Sequence, residues 1–149
     1  MIQNSLDSIR SVIGQINVLT DADSLEKFSF DALNPFRVKE APNLPDRRVS
    51  AVLRPGSTVD VSSIVKWARL RGIGLIPYGG GTGVMGGVIP ASTSVALDVT
   101  RMDQILEMDR SKRMARVQPG VILEALAFAA EQNNLLFGHD PWSRPVATV

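Results

Sequence analysis

Residues 77–87 read Pro77, Tyr78, Gly79, Gly80, Gly81, Thr82, Gly83, Val84, Met85, Gly86 and Gly87, six glycines in the nine positions from 79. A loop without Cβ atoms turns tightly and brings backbone N–H groups within hydrogen-bond reach of an anion. A diphosphate is the ligand such a cradle suits. The loop follows the apolar run Ile73, Gly74, Leu75, Ile76, so it leaves the end of a strand.

Three readings of this loop compete. A nucleotide triphosphate loop ends in Gly-Lys-Ser/Thr, and no lysine occurs between Lys66 and Lys112, which removes it. Gly81, Gly83 and Gly86 satisfy the spacing of the dinucleotide fingerprint G-x-G-x-x-G. That fingerprint works only where a helix begins inside it, and Gly87, Val88, Ile89, Pro90, Ala91, Ser92 is a poor helix start. The plain alternative is a flexible surface turn, which the placement between two apolar strands disfavours.

Composition narrows the remaining chemistry. Sixteen basic residues nearly balance fifteen acidic ones, so charge marks neither a nucleic-acid surface nor a face for an anionic membrane. With no cysteine and one histidine, His139, the chain holds no disulfide, no thiolate nucleophile and no multi-histidine metal site. No stretch approaches the ~20 apolar residues of a spanning helix, and Asp7 and Arg10 interrupt the first segment where a signal peptide would be uniformly apolar. A soluble, cytoplasmic protein is the expectation.

The elements that must carry the loop are legible. Ile2, Leu6, Ile9, Ile13 and Ile16 recur at helical spacing. Residues 31–46, with Pro35, Pro42 and Pro45, read as an extended loop, so residues 1–45 form an N-terminal helix and linker and 46–149 a domain. Residues 49–53 predict a strand, stopped by Pro55 and Gly56. Ser57 or Thr58 then caps a helix to about Arg71, with Val61, Ile64, Val65, Ala68 and Leu70 as its core face. Gly72 ends that helix and residues 73–77 form another buried strand. Strand, helix and strand in this span make a βαβ unit, with the two strands as a parallel pair. Residues 94–98 predict a further strand, 104–109 and 113–118 an antiparallel hairpin, and 121–132 a helix carrying Leu123, Leu126, Ala127 and Ala130. The fold class is α/β (α+β), with mixed parallel and antiparallel sheets.

Several blocks taken in order resemble the FAD-binding domain of the vanillyl-alcohol oxidase and p-cresol methylhydroxylase type, in the branch of D-lactate and glycolate dehydrogenases and alkyldihydroxyacetonephosphate synthases. They are Val52, Leu53, Arg54, Pro55, Gly56, Ser57 leading into residues 61–65; residues 77–83; Leu97, Asp98, Val99, Thr100, Arg101, Met102; residues 117–121; and residues 139–143 with Ala147, Thr148 and Val149. The resemblance runs from about Phe30 to the end.

It implies a flavin-dependent oxidoreductase that oxidises a small 2-hydroxy acid or alcohol by hydride transfer to FAD. Pro77, Tyr78, Gly79, Gly80, Gly81, Thr82 and Gly83 would wrap the pyrophosphate, while Pro141, Trp142, Ser143, Val146 and Ala147 would line the isoalloxazine side. Trp142 stacks near the flavin edge or is a core aromatic. Asp98, Pro119 and Gly120 would be turns near the cofactor, Asp98 equally a strand-end cap, and His139 structural. Some relatives attach flavin through a histidine in the loop; Thr82 and Gly83 stand there, which implies non-covalent FAD. In relatives the domain continues beyond Ala-Thr-Val with more of the flavin site and a substrate domain. The chain is therefore expected to be an N-terminal part, inactive by itself, of a protein compatible with a homodimer. A synthase-like FAD transferase and a non-catalytic flavin-binding fragment are the alternatives.

Overall fold

Leu6, Ile9 and Ile13 lie buried along one stripe of α1 (Gln3–Ile13), as the helical spacing requires. The computed structural model describes residues 3–32, 48–91 and 93–149, so Ile2 and most of the expected 31–46 loop lie outside the described residues. Ile16, expected on the same stripe, is 82% exposed. The helix ends before it: Gly14 adopts φ 88°, a conformation L side chains avoid, and a single 3-10 turn (Gln15–Asn17) follows. That turn leads into a short strand, β1 (Val18–Leu19), and then a two-turn helix, α2 (Ala22–Lys27), capped by Asp21, whose side chain accepts from Ser24 N. Neither β1 nor α2 has enough periodic residues to be recognised from sequence.

The strand expected over 49–53 contracts to β2 (Val52–Leu53), and α3 (Thr58–Arg71) follows with Ser57 Oγ accepting from Asp60 N at 3.1 Å. Gly72, at φ 62°, closes the helix in the left-handed region. Its buried face is Ile64, Trp67 and Ala68; Val65 and Leu70, expected in the core, are 46% and 82% exposed. Steps of three and four from Ile64 reach Trp67 and Ala68 and leave Val65 and Leu70 to the sides. The Trp67 indole N–H donates to the Ser5 carbonyl at 3.0 Å and the Ser8 hydroxyl at 3.2 Å, fixing α1 against α3.

β3 (Gly74–Tyr78) and β4 (Ser94–Asp98) complete a sheet of order β1-β2-β4-β3. β2 and β3 both run parallel to β4 but do not pair with each other, which corrects the expectation of an adjacent pair. β4 is buried at all five positions, the profile of a strand covered on both faces, and it takes the interior place. β3 falls to the edge, where Pro77 needs no ladder partner for a missing N–H, and only its last residue, Tyr78, is buried. Alternation along β4 sorts the core. Val95 and Leu97 join Leu6, Ile9, Ile64 and Trp67 beneath α1 and α3, while Ala96 joins Phe28, Val49, Val52 and Tyr78 on the opposite face.

β5 (Ile105–Asp109) and β6 (Met114–Val117) form the expected antiparallel hairpin. The Asp109 carboxylate accepts from the N–H groups of Ser111 and Lys112 at the turn. α4 (Leu123–Gln132) buries Leu123, Leu126 and Ala130. Its first N–H groups, on Leu123 and Glu124, donate to the carbonyls of Ala147 and Arg144, so the last turn of chain is fastened to the helix start. No helix among the described residues is long and apolar enough to cross a membrane.

Candidate functional site

The glycine loop leaves β3 at Tyr78, whose ring packs edge-on against Phe28 with centroids 4.7 Å apart. The Tyr78 hydroxyl donates to the Phe30 carbonyl at 3.0 Å and the Lys27 carbonyl at 3.3 Å, tying the end of α2 beneath the loop. Burial, and then the charges of Asp31 and Asp98, push the phenol above its ordinary pKa of 10.0, so it stays a neutral donor. Between β3 and β4 the described residues form neither helix nor strand. The helix a dinucleotide fingerprint needs is absent from this stretch.

At Gly79, Gly80 and Gly81 other groups occupy the space a side chain would need. A Cβ on Gly79 would meet the Thr148 hydroxyl, one on Gly80 the Val146 carbonyl, and one on Gly81 the Tyr78 hydroxyl. Gly81 also has φ 66°, which reverses the chain. A Cβ on Gly83 would lie 3.0 Å from a carboxylate oxygen of Asp31. Gly87 has open space around it and Gly86 a positive φ of 73°, consistent with an exit free of side chains.

Two blocks distant in sequence are thereby joined. The turn over residues 142–146 is held by N–H groups of Arg144 donating to the Pro141 carbonyl and of Val146 and Ala147 donating to the Ser143 carbonyl. It places Val146, buried Ala147 and Thr148 directly against Gly79 and Gly80. Trp142 is fully exposed at the outer side of that turn and is not a core aromatic. His139 is also exposed, with its ring near Phe137. Thr148 is the residue at the loop that sequence reasoning missed; its signal was the Ala-Thr-Val block, taken there only as resemblance.

Asp98 is a strand-end cap in the fullest sense. It is 1% exposed, and its carboxylate accepts from Thr100 N at 2.9 Å, Thr100 Oγ1 at 2.6 Å and Arg54 Nε at 3.0 Å. Gly120 packs on the carbonyls of Val99 and Met102, and its N–H donates to Met102 at 2.7 Å, so the Pro-Gly turn braces the same corner.

What the loop can do follows from its donors. Among the described residues no hydrogen bond engages the backbone N–H of Gly79, Gly80, Gly81, Thr82 or Gly83. They border a cleft of about 180 Å³ lined by Asp31, Pro77, Tyr78, residues 79–83, Val88 and Thr148. Unengaged amides around an open cleft, four of the five on glycines, fit a diphosphate. No group of three or more His, Cys, Asp or Glu residues able to hold a metal occurs among the described residues.

An α/β domain with an amide-lined loop at the carboxyl end of a parallel strand defines a nucleotide-cofactor-binding module. The chain belongs to the FAD-binding domain family, whose profile matches residues 49–149. It is 34% identical over 135 residues to a D-2-hydroxyglutarate dehydrogenase of Stutzerimonas stutzeri (strain A1501), covering 91% of this chain and 27% of that protein. A glycolate oxidase subunit of Bacillus subtilis (strain 168) is 32% identical over 122 residues, 82% of this chain and 24% of its own length. The fold is that of alkyldihydroxyacetonephosphate synthase, with a TM-score of 0.87 at 21% identity over 99% of this chain and 28% of that one. A 4-ethylphenol oxidase from Gulosibacter chungangensis superposes with a TM-score of 0.79 at 27% identity, over 99% of this chain and 27% of that one. The chain thus spans less than a third of the length of the first curated relatives it matches.

Proposed function

We propose that this chain supplies the diphosphate-binding part of the FAD site of an oxidoreductase that oxidises a small 2-hydroxy acid or alcohol. The observation that carries the reading is the contact of Gly79 and Gly80 with Val146 and Thr148, which sets an amide cradle beside the 146–148 segment. When bound, FAD would supply the hydride acceptor. The residues of the chain do the holding. Pro77 and Tyr78 fix the strand end; Gly79, Gly80, Gly81, Thr82 and Gly83 present N–H groups to the diphosphate; Pro141, Trp142, Ser143, Val146 and Ala147 form the wall toward the ring system.

The 2-hydroxy acid class rests on relatives named as dehydrogenases of D-2-hydroxyglutarate and D-lactate at 30–34% identity. The synthase likeness, at 21%, speaks for the fold alone. Non-covalent attachment is supported by the loop itself, where Thr82 and Gly83 offer no imidazole. Residues 46–149 would act as the cofactor domain behind the helix and linker of 1–45. In a protein of the relatives' length, which would be a cytoplasmic homodimer, residues outside the matched part would contact the substrate.

Titrating the chain with FAD and following the flavin absorbance band tests the reading. A saturable spectral shift is expected, and acid precipitation should leave the flavin in the supernatant. No shift, from a chain shown to be folded, would refute the cofactor site. Flavin that pellets with the protein would refute non-covalent binding. Anaerobic addition of a D-2-hydroxy acid to a protein of the relatives' length should bleach the flavin, which a synthase-like transferase would not do.

A further inference from the structure

The glycine loop has a second side. Gly79 and Gly80 also border a larger cleft, about 390 Å³, lined by Leu19, Ser24, Lys27, Phe28, Arg54, Tyr78, Asp98 and Thr100. Asp31 and Thr148, which line the first cleft, do not line this one. Two cations border it from two different elements, Lys27 from the end of α2 and Arg54 from just after β2.

Each cation is held in place by its surroundings. The Lys27 carbonyl accepts from Tyr78, and its ammonium stands 5.3 Å from the centre of the Phe28 ring; it has no carboxylate partner among the described residues. Arg54 is anchored at both ends. Its backbone N–H donates to Asn17 at 2.9 Å, and its Nε donates to buried Asp98, while its two terminal nitrogens take no hydrogen bond among the described residues. A guanidinium fixed through Nε and free at its fork is pre-set for a bidentate oxyanion. The one carboxylate lining the cleft, Asp98, already accepts three hydrogen bonds. Two positive charges therefore face one committed negative charge, beside an aromatic wall.

We propose that this cleft between α2 and the ends of β2 and β4 is an anion site separate from the flavin cradle, taking the phosphate or carboxylate group of a small organic anion. Lys27 supplies a point charge, Arg54 the fork, and Phe28 and Leu19 an apolar wall for the ligand's carbon skeleton. Because both clefts share Gly79 and Gly80, occupancy of one is felt at the backbone of the other.

Titration of the full chain with inorganic phosphate, followed by amide chemical shifts, tests this. Saturable shifts are expected at Ser24, Phe28 and Thr100. They should persist with FAD at saturation and weaken at least tenfold in Lys27→Glu, an exposed substitution that leaves the core untouched. Arg54→Lys keeps a charge near Asp98 but loses the fork, and should weaken binding while the shift pattern of the rest of the chain stays that of a folded protein. Absence of saturable shifts would overturn the proposal, as would shifts confined to Thr82, Gly83 and Thr148. Shifts at the α2 side that vanish when FAD binds would also overturn it, because the two cations would then belong to the flavin's own cradle. FAD affinity, read separately by absorbance, distinguishes each of these failures from a failure of the flavin site.

Discussion

The carbonyl of Val146 lies where a Cβ on Gly80 would have to be, and the Cα of Ala147 is only 3.1 Å from that point. Backbone, unlike the far end of a side chain, cannot swing aside. Gly80→Ala must push the 146–148 segment off the loop, and it should cost about 1–3 kcal/mol as an overpacked contact. FAD binding should fall with it, since the loop and the turn separate. Gly87→Ala is the control, with nothing within 4 Å of its Cβ and no positive φ; its effect should stay within about 0.5 kcal/mol. Urea midpoints of the two variants decide it, and equal midpoints would refute the close approach.

Tyr78 is the sole tyrosine of the chain, so phenolate absorbance reports it directly. Its midpoint should lie above 10.0, because burial disfavours the phenolate and Asp31 and Asp98 repel it. The sign for stability follows. The folded state holds the proton more tightly than the unfolded one, so the contribution is complete below the unfolded pKa of about 10 and is lost as pH rises through the folded value. Urea midpoints should decline on that alkaline side. Tyr78→Phe keeps the packing on Phe28 but drops the bonds to the Phe30 and Lys27 carbonyls, a loss of about 0.5–1.5 kcal/mol, and it removes the alkaline decline.

The regular elements were legible wherever a period ran long enough. α3 and its caps are set by Ser57 and Gly72, β4 by five apolar-rich residues, and the hairpin by alternation around Asp109. Strand order was not legible, because pairing β2 with β4 instead of β3 depends on which strand can be buried on both sides, a comparison across the whole sheet. The two segments of the candidate site were each visible as motifs. Their contact was not, because glycine at positions 79 and 80 shows that something comes close without saying what. Asp98 gave a third kind of difficulty. Its position at a strand end was clear, but the partner that makes it central, Arg54, stands 44 residues away.

Asp98→Ala removes the acceptor of three hydrogen bonds and leaves the Thr100 N–H and the Arg54 guanidinium without it. The cost should be about 2–4 kcal/mol, toward the lower end because Arg54 keeps some access to water. Asp98→Asn, which retains an acceptor of the same shape, should recover part of it. Denaturation curves for both are the check, and equal losses would mean that the charge of Asp98, not its hydrogen bonding, holds the corner.

At the hairpin turn, hydrogen bonds from Lys112 and then Ser111 hold the Asp109 carboxyl down to about 2. A depressed carboxylate stabilises the fold above its unfolded pKa of about 4, and that contribution disappears as pH falls through the folded value. Side-chain chemical shifts of Asp109 should accordingly titrate near 2. Asp109→Asn should leave the turn insensitive to pH in that window while keeping β5 and β6 paired. A carboxyl that titrates at the ordinary value would refute the turn as drawn.

The chain's two tryptophans occupy opposite environments, and each answers a different question. Trp67 is 6% exposed and donates its indole N–H to the Ser5 carbonyl, whereas Trp142 is fully exposed on the turn beside the glycine loop. Trp67→Phe should destabilise by about 1–3 kcal/mol, since it shrinks a packed core side chain and removes the indole hydrogen bonds that tie α3 to Ser5 and Ser8, although the Ser5 carbonyl still accepts from the Ser8 hydroxyl. Trp142→Phe should move stability by no more than about 0.5 kcal/mol. In the Trp67→Phe protein the remaining emission comes from Trp142 and should be strongly quenched by acrylamide in the absence of flavin. If residues 141–147 form the wall toward the flavin ring, FAD will quench that emission and shield it from acrylamide. A Trp142 signal indifferent to FAD, in a protein whose absorbance shows the flavin bound, would remove this tryptophan from the site and leave the glycine loop with Val146, Ala147 and Thr148 as its contact surface.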